Sequence, residues 1–128
     1  MSVFLNFPPE RIVYRDDHFF IVFDGYPASP GHCLIISNII RETYFELTNE
    51  EKLALPAAID KAQALVKEKH NPDGYNIGMN CGKDAGQSVP HFHCHVIPRY
   101  SGDVEDPQGG VRSVIPHKRK YQKKANKF

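Results

Sequence analysis

Hydrophobic residues occur along the chain mainly in short runs that are rich in Val, Ile, Phe and Tyr. Runs of this kind, bounded by polar and turn-forming residues, are typical of β-strands. The segment from Gly25 to Gly31 contains two prolines, so it predicts a loop between two strands. We expect Pro98 to end the last strand, because proline cannot donate a hydrogen bond to a neighbouring strand. The predicted strands are Ile12–Tyr14, Phe19–Phe23, His32–Ser37, Tyr75–Asn80 and His91–Ile97.

One long segment follows helical rather than strand periodicity. Thr48, with Glu51 three residues later, forms a capping-box pattern that begins a helix. The helix is predicted to run to about Lys69, and Pro56 predicts a kink or the start of the helix body. Short strands in series with one inserted helix predict an α+β fold with a mostly antiparallel sheet. The apolar residues at helical spacing are Leu55, Ile59, Ala62 and Val66.

The length and composition fit one globular domain. The chain has 128 residues, of which 41% are hydrophobic and 24% charged, so it can bury a core. No apolar run approaches the ~18 residues of a membrane span, and the first residues lack a signal-peptide pattern. Cys33, Cys81 and Cys94 are odd in number and form no CxxC pair. They argue against a disulfide framework or a cysteine-based zinc site, and we expect a cytoplasmic protein.

Charge is unevenly distributed along the chain. Residues 117–128 contain six Lys or Arg and no acid, whereas residues 1–116 contain ten Lys or Arg and fifteen Asp or Glu. We therefore predict a domain over residues 1–116, with a C-terminal extension from about residue 101, followed by a basic tail. Such a tail either contacts an anion such as nucleic acid or is a solvated terminus. The acidic body argues against a nucleic-acid-binding function.

The last predicted strand has histidine at every second position. Because side chains alternate between faces along a strand, His91, His93 and His95 project from the same face. Neighbouring imidazoles then stand roughly 6.5 Å apart. Three histidines in strict alternation indicate chemistry, since a merely solvated face does not require imidazole three times. The opposite face, which we expect to meet the core, carries Phe92, Cys94 and Val96.

Two kinds of chemistry suit this row of imidazoles. One is a metal site, because two alternating histidines on a strand can face one zinc ion. The third histidine is too far from the same ion, and the nearby carboxylate of Asp84 lies back in the loop, so no further ligand is obvious. The other is nucleophilic catalysis, in which the central imidazole attacks phosphorus. The preceding loop, residues 82–88, supplies backbone N–H groups, a hydroxyl and an amide. These groups suit phosphate oxygens better than a metal, so the residues favour phosphoryl chemistry.

The sequence GQSVPHFHCHVIPR at residues 86–99 resembles the signature of the histidine triad (HIT) family, in which an apolar residue follows each of three histidines. The resemblance covers about residues 10–100. It implies a five-stranded antiparallel sheet with one main helix packed on it, and pairing of two chains as a homodimer. The Pro98-Arg99 ending resembles the dinucleoside polyphosphate branch of the family, whereas Ser88 is a residue that the phosphoramidase branch uses.

The resemblance also implies a role for each site residue. His93 is the nucleophile, which attacks the α-phosphate and forms a nucleotidyl-histidine intermediate that water resolves. His91 orients the site, and His95 hydrogen-bonds phosphate or bridging oxygens. His32 lies beside the triad on the neighbouring strand, although the residues alone favour a turn-adjacent histidine. The substrate-binding residues are Asp24 for the ribose, Asn80 for the ribose or phosphates, and Gln87 and Ser88 for the phosphate or leaving group. By alternation Val22 shares a face with Asp24 and is the candidate for the base, with Phe4, Leu5 and Tyr26 as weaker candidates.

These features predict a nucleotide hydrolase or transferase that cleaves an adenylyl phosphoanhydride such as diadenosine tetraphosphate. A dinucleoside polyphosphate phosphorylase or an adenosine phosphoramidase would use the same histidines and stays open. Asp24 and Asn80 also suit ordinary strand-end turns. A zinc-binding module and a non-catalytic nucleotide sensor are alternatives of another class. We expect no cofactor bound by the protein and no membrane contact, and a need for magnesium with the polyphosphate substrate is left open.

Overall fold

The computed structural model describes residues 2–121, which contain one sheet of five antiparallel strands and one main helix. The order across the sheet is β1-β2-β3-β5-β4, so β1 and β4 are the edge strands. The helix, α1, connects β3 to β4. This architecture confirms the predicted fold class. The elements are β1 (Ile12–Arg15), β2 (Phe19–Phe23), β3 (Cys33–Ser37), α1 (Asn49–Lys67), β4 (Gly74–Gly78) and β5 (His93–Arg99).

Helix α1 begins at the capping box that the sequence predicts. The Thr48 hydroxyl accepts the Glu51 N–H at 3.1 Å, and the Glu51 carboxylate accepts the Thr48 N–H at 2.7 Å. These two bonds satisfy N–H groups that a helix start otherwise leaves without partners. The helix continues without interruption through Pro56. Pro56 is exposed, so the carbonyl that its missing N–H leaves free lies on the solvent side.

The two faces of the sheet carry two separate apolar clusters. The face beneath α1 packs against the helix and includes Phe92, Cys94 and Val96, as the alternation predicts. The other face carries Phe20 and Val22 of β2 with Leu34 and Ile36 of β3. Phe4, from a short 3₁₀ helix (Val3–Asn6), covers this second cluster and is itself only 8% exposed. The second face therefore has a buried half and, on β5 and β4, an open half.

The last strand differs from its predicted bounds at both ends. His91 and Phe92 precede β5, and Pro98 lies inside it, paired with Tyr75 of β4. Pro98 is tolerated because the pairing of β5 with β3 ends at Val96. The Pro98 carbonyl accepts the Ser29 hydroxyl at 2.5 Å, so its nitrogen also faces the side where β3 has ended. No hydrogen bond of the sheet is lost.

The chain after β5 folds back along the sheet without forming another strand. It contains two short 3₁₀ helices, Gly110–Val114 and Pro116–Lys118. The Lys120 ammonium lies 2.7 Å from the Asp106 carboxylate. The part of the predicted basic tail after Tyr121 lies outside the described residues. Among residues 2–121, no helix is long and apolar enough to cross a membrane.

Candidate active site

The open half of the sheet brings the histidines together. On β5, His93 lies opposite Ile36 of β3, and His95 lies opposite Leu34. The ring centroids of His93 and His95 are 5.1 Å apart, closer than ideal strand spacing, and the two ring planes meet at 65°. On the other side of β5, Gly78 of β4 lies opposite His95. The imidazoles thus stand between an apolar cluster on one side and an open edge on the other.

His91 is a buried structural member of the group. Its ring is completely buried, and its Nε2 donates to the Ser37 carbonyl at 2.7 Å. Since the neutral ring carries one hydrogen, Nδ1 must accept, and the Ser2 hydroxyl lies 2.6 Å from it. The same Ser2 oxygen accepts the Phe4 N–H at 3.2 Å. Both nitrogens of His91 are therefore used within the protein, which leaves it no capacity to attack a substrate.

His93 is the triad histidine whose orientation fits a nucleophile. Its Nδ1 lies 2.9 Å from the His91 carbonyl, which can only accept, so Nδ1 carries the hydrogen. In the neutral form of the ring, the lone pair is therefore on Nε2. The Phe4 ring meets the His93 ring edge to face at a centroid distance of 4.9 Å and limits its rotation. A neutral imidazole with a fixed tautomer and a free Nε2 is suited to attack an electrophile.

His32 and His95 form a second fixed pair. The Ala28 N–H donates to Nδ1 of His32 at 2.9 Å, so the hydrogen of this ring is on Nε2. Nε2 of His32 lies 2.9 Å from Nδ1 of His95, which therefore accepts. The hydrogen of His95 must then be on its Nε2. The chain of bonds leaves His93 with a lone pair and His95 with an N–H donor on adjacent rings.

Burial favours the uncharged form of three of the four rings, those of His32, His91 and His95. Desolvation lowers the pKa of His95 to about 4, and the neighbouring His93 and His32 add to the effect, although the Asp24 carboxylate opposes it. The pKa of His32 is lowered by burial and raised in part by Asp24. Burial likewise lowers the pKa of His91, against the stabilising carbonyl of Ser37. At neutral pH His32, His91 and His95 are therefore neutral, which the hydrogen-bond assignment requires.

Asp24 lies at the end of β2, beside the second histidine pair. One of its oxygens accepts the Tyr26 N–H at 2.9 Å, which is the turn role, and the other is 3.7 Å from Nε2 of His32. Asp24, His32 and His95 each place one potential metal ligand within 4.8 Å of the others. The sequence analysis named Asp24 for the ribose but did not indicate it as a possible metal ligand, because 71 positions separate it from His95. The two nitrogens face each other as a hydrogen bond, so a metal would have to replace that bond.

Most of the polar groups in the loop before β5 that were predicted to bind phosphate instead form hydrogen bonds within the protein. Gln87 was expected to bind phosphate, but its amide oxygen accepts the Gly82 N–H, and its amide nitrogen donates to the carbonyls of Glu42 and Val89. The N–H groups of Ala85, Gly86 and Gln87 also bond within the loop. Gln87 therefore holds the loop in shape. The left-handed backbone of Gly86 (φ 93°) allows this tight turn.

The other predicted binding residues are in different surroundings. Asn80 lines a groove together with His32 and His95. Ser88 is exposed and lines a separate recess with Ser2 and Val3. Val22 is 0% exposed within the cluster that Phe4 covers, so it offers no surface for a base in this structure. The sequence also gave no signal for Ser2 or for the Ala28 N–H, since backbone bonds and pairs distant in sequence leave no local pattern.

Comparison with known proteins agrees with the fold and the histidine pattern. Residues 7–102 match the model of the HIT domain family. The chain is 38% identical over 107 residues to an uncharacterised HIT-like protein of Methanocaldococcus jannaschii, covering 83% of this chain and 82% of that protein. The crystal structure of a HIT family member from Bacillus subtilis superposes with a TM-score of 0.72 at 32% identity, covering 80% of this chain and 75% of that one. The chain belongs to the HIT family.

Some relatives with named activities are longer proteins. An AP-4-A phosphorylase of Mycobacterium tuberculosis is 36% identical over 94 residues, which are 73% of this chain. This chain spans 48% of that phosphorylase and 23% of a nitrilase and fragile histidine triad fusion protein from Caenorhabditis elegans. The similarity therefore concerns the HIT domain alone.

Proposed function

We propose that this HIT protein is a nucleotide hydrolase or transferase that cleaves an adenylyl phosphoanhydride, such as diadenosine tetraphosphate, at the α-phosphate. The observation that carries the proposal is the pairing of two adjacent imidazoles whose hydrogen bonds place their ring hydrogens on opposite nitrogens. His93 offers a lone pair on Nε2, and the adjacent His95 offers an N–H on Nε2. One ring can attack phosphorus while the other stabilises an oxygen of the same phosphoryl group.

The reaction takes two steps at phosphorus. In the first, the His93 Nε2 lone pair forms a bond to the α-phosphorus while the bond to the bridging oxygen breaks, and its electron pair leaves with the nucleoside polyphosphate. The Nδ1 hydrogen stays on His93, where the His91 carbonyl stabilises the positive ring. In the second step water attacks the same phosphorus, the P–N bond breaks, and neutral His93 is restored together with AMP and one released proton.

The protonation state of His95 favours anhydrides over phosphoramidates. A polyphosphate leaves as a stable anion and needs only a hydrogen bond, which the neutral His95 Nε2–H supplies. An amine leaving group instead requires a full proton, and a ring with a pKa of about 4 holds no spare proton at neutral pH. We therefore place the phosphoramidase alternative second. Asp24 is proposed to bind the ribose hydroxyls through the oxygen that its turn leaves available.

A phosphorylase is another candidate that also acts on an anhydride, because a relative named AP-4-A phosphorylase shares 36% identity with this domain. Phosphate would replace water in the second step, so the two reactions differ only in their second acceptor. Diadenosine tetraphosphate would then give ADP and ATP, whereas hydrolysis gives AMP and ATP. Magnesium with the substrate, homodimerisation and a cytoplasmic location also remain proposals.

The test is to incubate the protein with diadenosine tetraphosphate and, separately, with adenosine 5′-phosphoramidate, with and without inorganic phosphate and Mg²⁺. Products are resolved by chromatography for the wild type, His93→Ala and His117→Ala, the last being an exposed histidine distant from the site in sequence. We expect cleavage of the tetraphosphate by the wild type and His117→Ala, and a loss of at least 10³-fold in His93→Ala. Turnover retained by His93→Ala would exclude the mechanism, and stoichiometric zinc in inactive wild type would favour the zinc-binding alternative.

A further inference from the structure

A groove of about 510 Å³ lies beside His95, on the side of the sheet edge. This volume is within the range of roughly 300–1,000 Å³ that small-molecule sites occupy. Its floor is formed by β5 and β4, where Ile97 follows His95 on the same face. The wall farthest from the histidines comes from the C-terminal extension, through Val111 and Val114. The groove thus begins at the proposed reaction centre and leads away from His93.

The floor of the groove contains a glycine that the local backbone conformation does not require. Gly78 lies directly opposite His95, and a Cβ added to it would meet no atom within 4 Å. Its φ is not in the left-handed region, so an L side chain could be accommodated there. Glycine within a strand is unfavourable and often marks a place where a ligand approaches the backbone. The space that Gly78 leaves open is part of the groove.

The valines of the far wall are exposed but held in place. Val111 is 66% exposed and Val114 is 72% exposed. Between them, the Arg112 guanidinium donates to the Lys118 carbonyl at 3.0 and 2.7 Å and lies over the Tyr121 ring at 4.3 Å. Exposed apolar side chains that are held in place along a groove are typical of a binding site.

Further contacts attach the start of the extension to the body. Arg99 makes a bidentate ion pair with Asp103, at 2.7 and 2.9 Å, and donates to the side-chain oxygen of Asn76 on β4 at 2.6 Å. The Tyr100 hydroxyl donates to the Pro30 carbonyl at 2.6 Å. The extension is therefore in place before any ligand binds. Binding then requires little additional ordering of this wall, so the entropic cost is small.

The chemistry of the lining selects an uncharged, flat group. Among the described residues that line the groove there is no Lys, Arg, Asp or Glu. Its apolar lining includes Ile97, Val111 and Val114. Asn76, whose amide oxygen accepts from Arg99, and Asn80 also line it. Apolar surfaces with amide donors and acceptors at the edge suit a heteroaromatic base, whereas phosphates and free amines would find no counter-charge there.

We infer that this groove binds the base of the leaving nucleotide, so that the C-terminal extension and Gly78 select dinucleotide substrates over those with small leaving groups. The inference rests on the proposed function. In an in-line displacement the leaving oxygen lies opposite the attacking nitrogen. His95 stands between His93 and Ile97 on β5, so a leaving group that passes His95 enters the groove. The adenylyl half, which stays on His93, remains outside it.

The test compares Gly78→Val with Gly74→Val, two identical changes on the same face of β4. Gly74 lies outside the groove, and a Cβ there would also have room, with its nearest contact at 4.0 Å. For each variant, kcat/KM is measured with diadenosine tetraphosphate and with adenosine 5′-phosphoramidate, whose leaving group is ammonia. The ratio compared is kcat/KM for diadenosine tetraphosphate divided by kcat/KM for the phosphoramidate. We expect this ratio to fall at least 10-fold in Gly78→Val and by less than 2-fold in Gly74→Val. Val114→Asp, a change at an exposed residue, should lower the same ratio.

Each other result decides against the inference. Equal losses on both substrates in Gly78→Val and Val114→Asp would mean that the groove holds the shared adenosine half or acts through folding. An unchanged ratio in both variants would mean that the groove is not used. Wild type that cleaves only the phosphoramidate would overturn this inference while leaving nucleophilic catalysis by His93 intact. Cleavage of neither substrate by the wild type would overturn the proposed function itself.

Discussion

Replacing His95 by Asn should change how the stability of the protein depends on pH. The pKa of His95 is lowered to about 4 in the folded state, chiefly by burial, from an ordinary value of 6.5. Between these two values the unfolded chain binds a proton that the folded protein does not. Stability is therefore fully present above pH 6.5 and is lost as the pH falls toward 4, below which the loss levels off. Asn cannot titrate, but its side-chain oxygen can still accept the hydrogen bond from His32.

The size of the effect follows from the shift. A difference of about 2.5 pKa units corresponds to about 3 kcal/mol at full strength between pH 7 and pH 4. Because the ring is only partly buried, solvent screening reduces the expected contribution to about 1–2 kcal/mol. Urea denaturation at both pH values gives the free energy of unfolding for wild type and His95→Asn. The variant should lose about 1–2 kcal/mol less than the wild type on acidification. Equal losses would refute the conclusion that His95 is held neutral by its surroundings.

Two further changes test contacts that hold the site and the extension. Ser2→Ala removes the donor to Nδ1 of the buried His91 and should cost about 1–3 kcal/mol of unfolding free energy in urea denaturation, whereas Ser2→Thr, which keeps a hydroxyl, should cost less. Equal stability of Ser2→Ala and wild type would mean that the bond is unimportant. Gly109→Ala places a Cβ against the Arg119 carbonyl, at a φ of 97°, and should speed trypsin cleavage within the extension. Gly102→Ala, which has a φ of 81° but no nearby atom, is the control, and the same cleavage rate in both variants would contradict the expected clash.

Local patterns in the sequence were sufficient for the fold class and for most strand positions. The run Phe19–Phe23 is a strand with the predicted bounds, since β-branched and aromatic residues favour a pleated, buried surface. The Thr48 and Glu51 pattern located the start of the helix, because a capping box acts within four residues. The predicted end of β5 was wrong. Whether a strand can contain Pro98 depends on where the neighbouring strand β3 ends, and the local sequence does not carry that information.

The site was predictable in its residue types but less in how they are used. Alternation correctly placed Phe92, Cys94 and Val96 on the core face, opposite the histidines. The resemblance assigned Gln87 to the phosphate or leaving group; in the structure its amide bonds to Gly82 and to the carbonyls of Glu42 and Val89. Ser2 contacts His91 although the two residues are 89 positions apart in the sequence, and no periodic pattern predicts such a contact.

The direction of the hydrogens, rather than the presence of the histidines, determines what this site can do. Two backbone groups set that direction, namely the His91 carbonyl for His93 and the Ala28 N–H for His32. Without the Ala28 N–H, His32 could carry its hydrogen on Nδ1, and His95 would then have to donate to His32 from its own Nδ1. Nε2 of His95 would become a lone pair facing the phosphate oxygens, which would repel the substrate. Ala28 lies in the loop that two prolines shape, Pro27 and Pro30. The proline-rich loop is thus part of the arrangement that the proposed mechanism requires, although none of its side chains needs to touch the substrate.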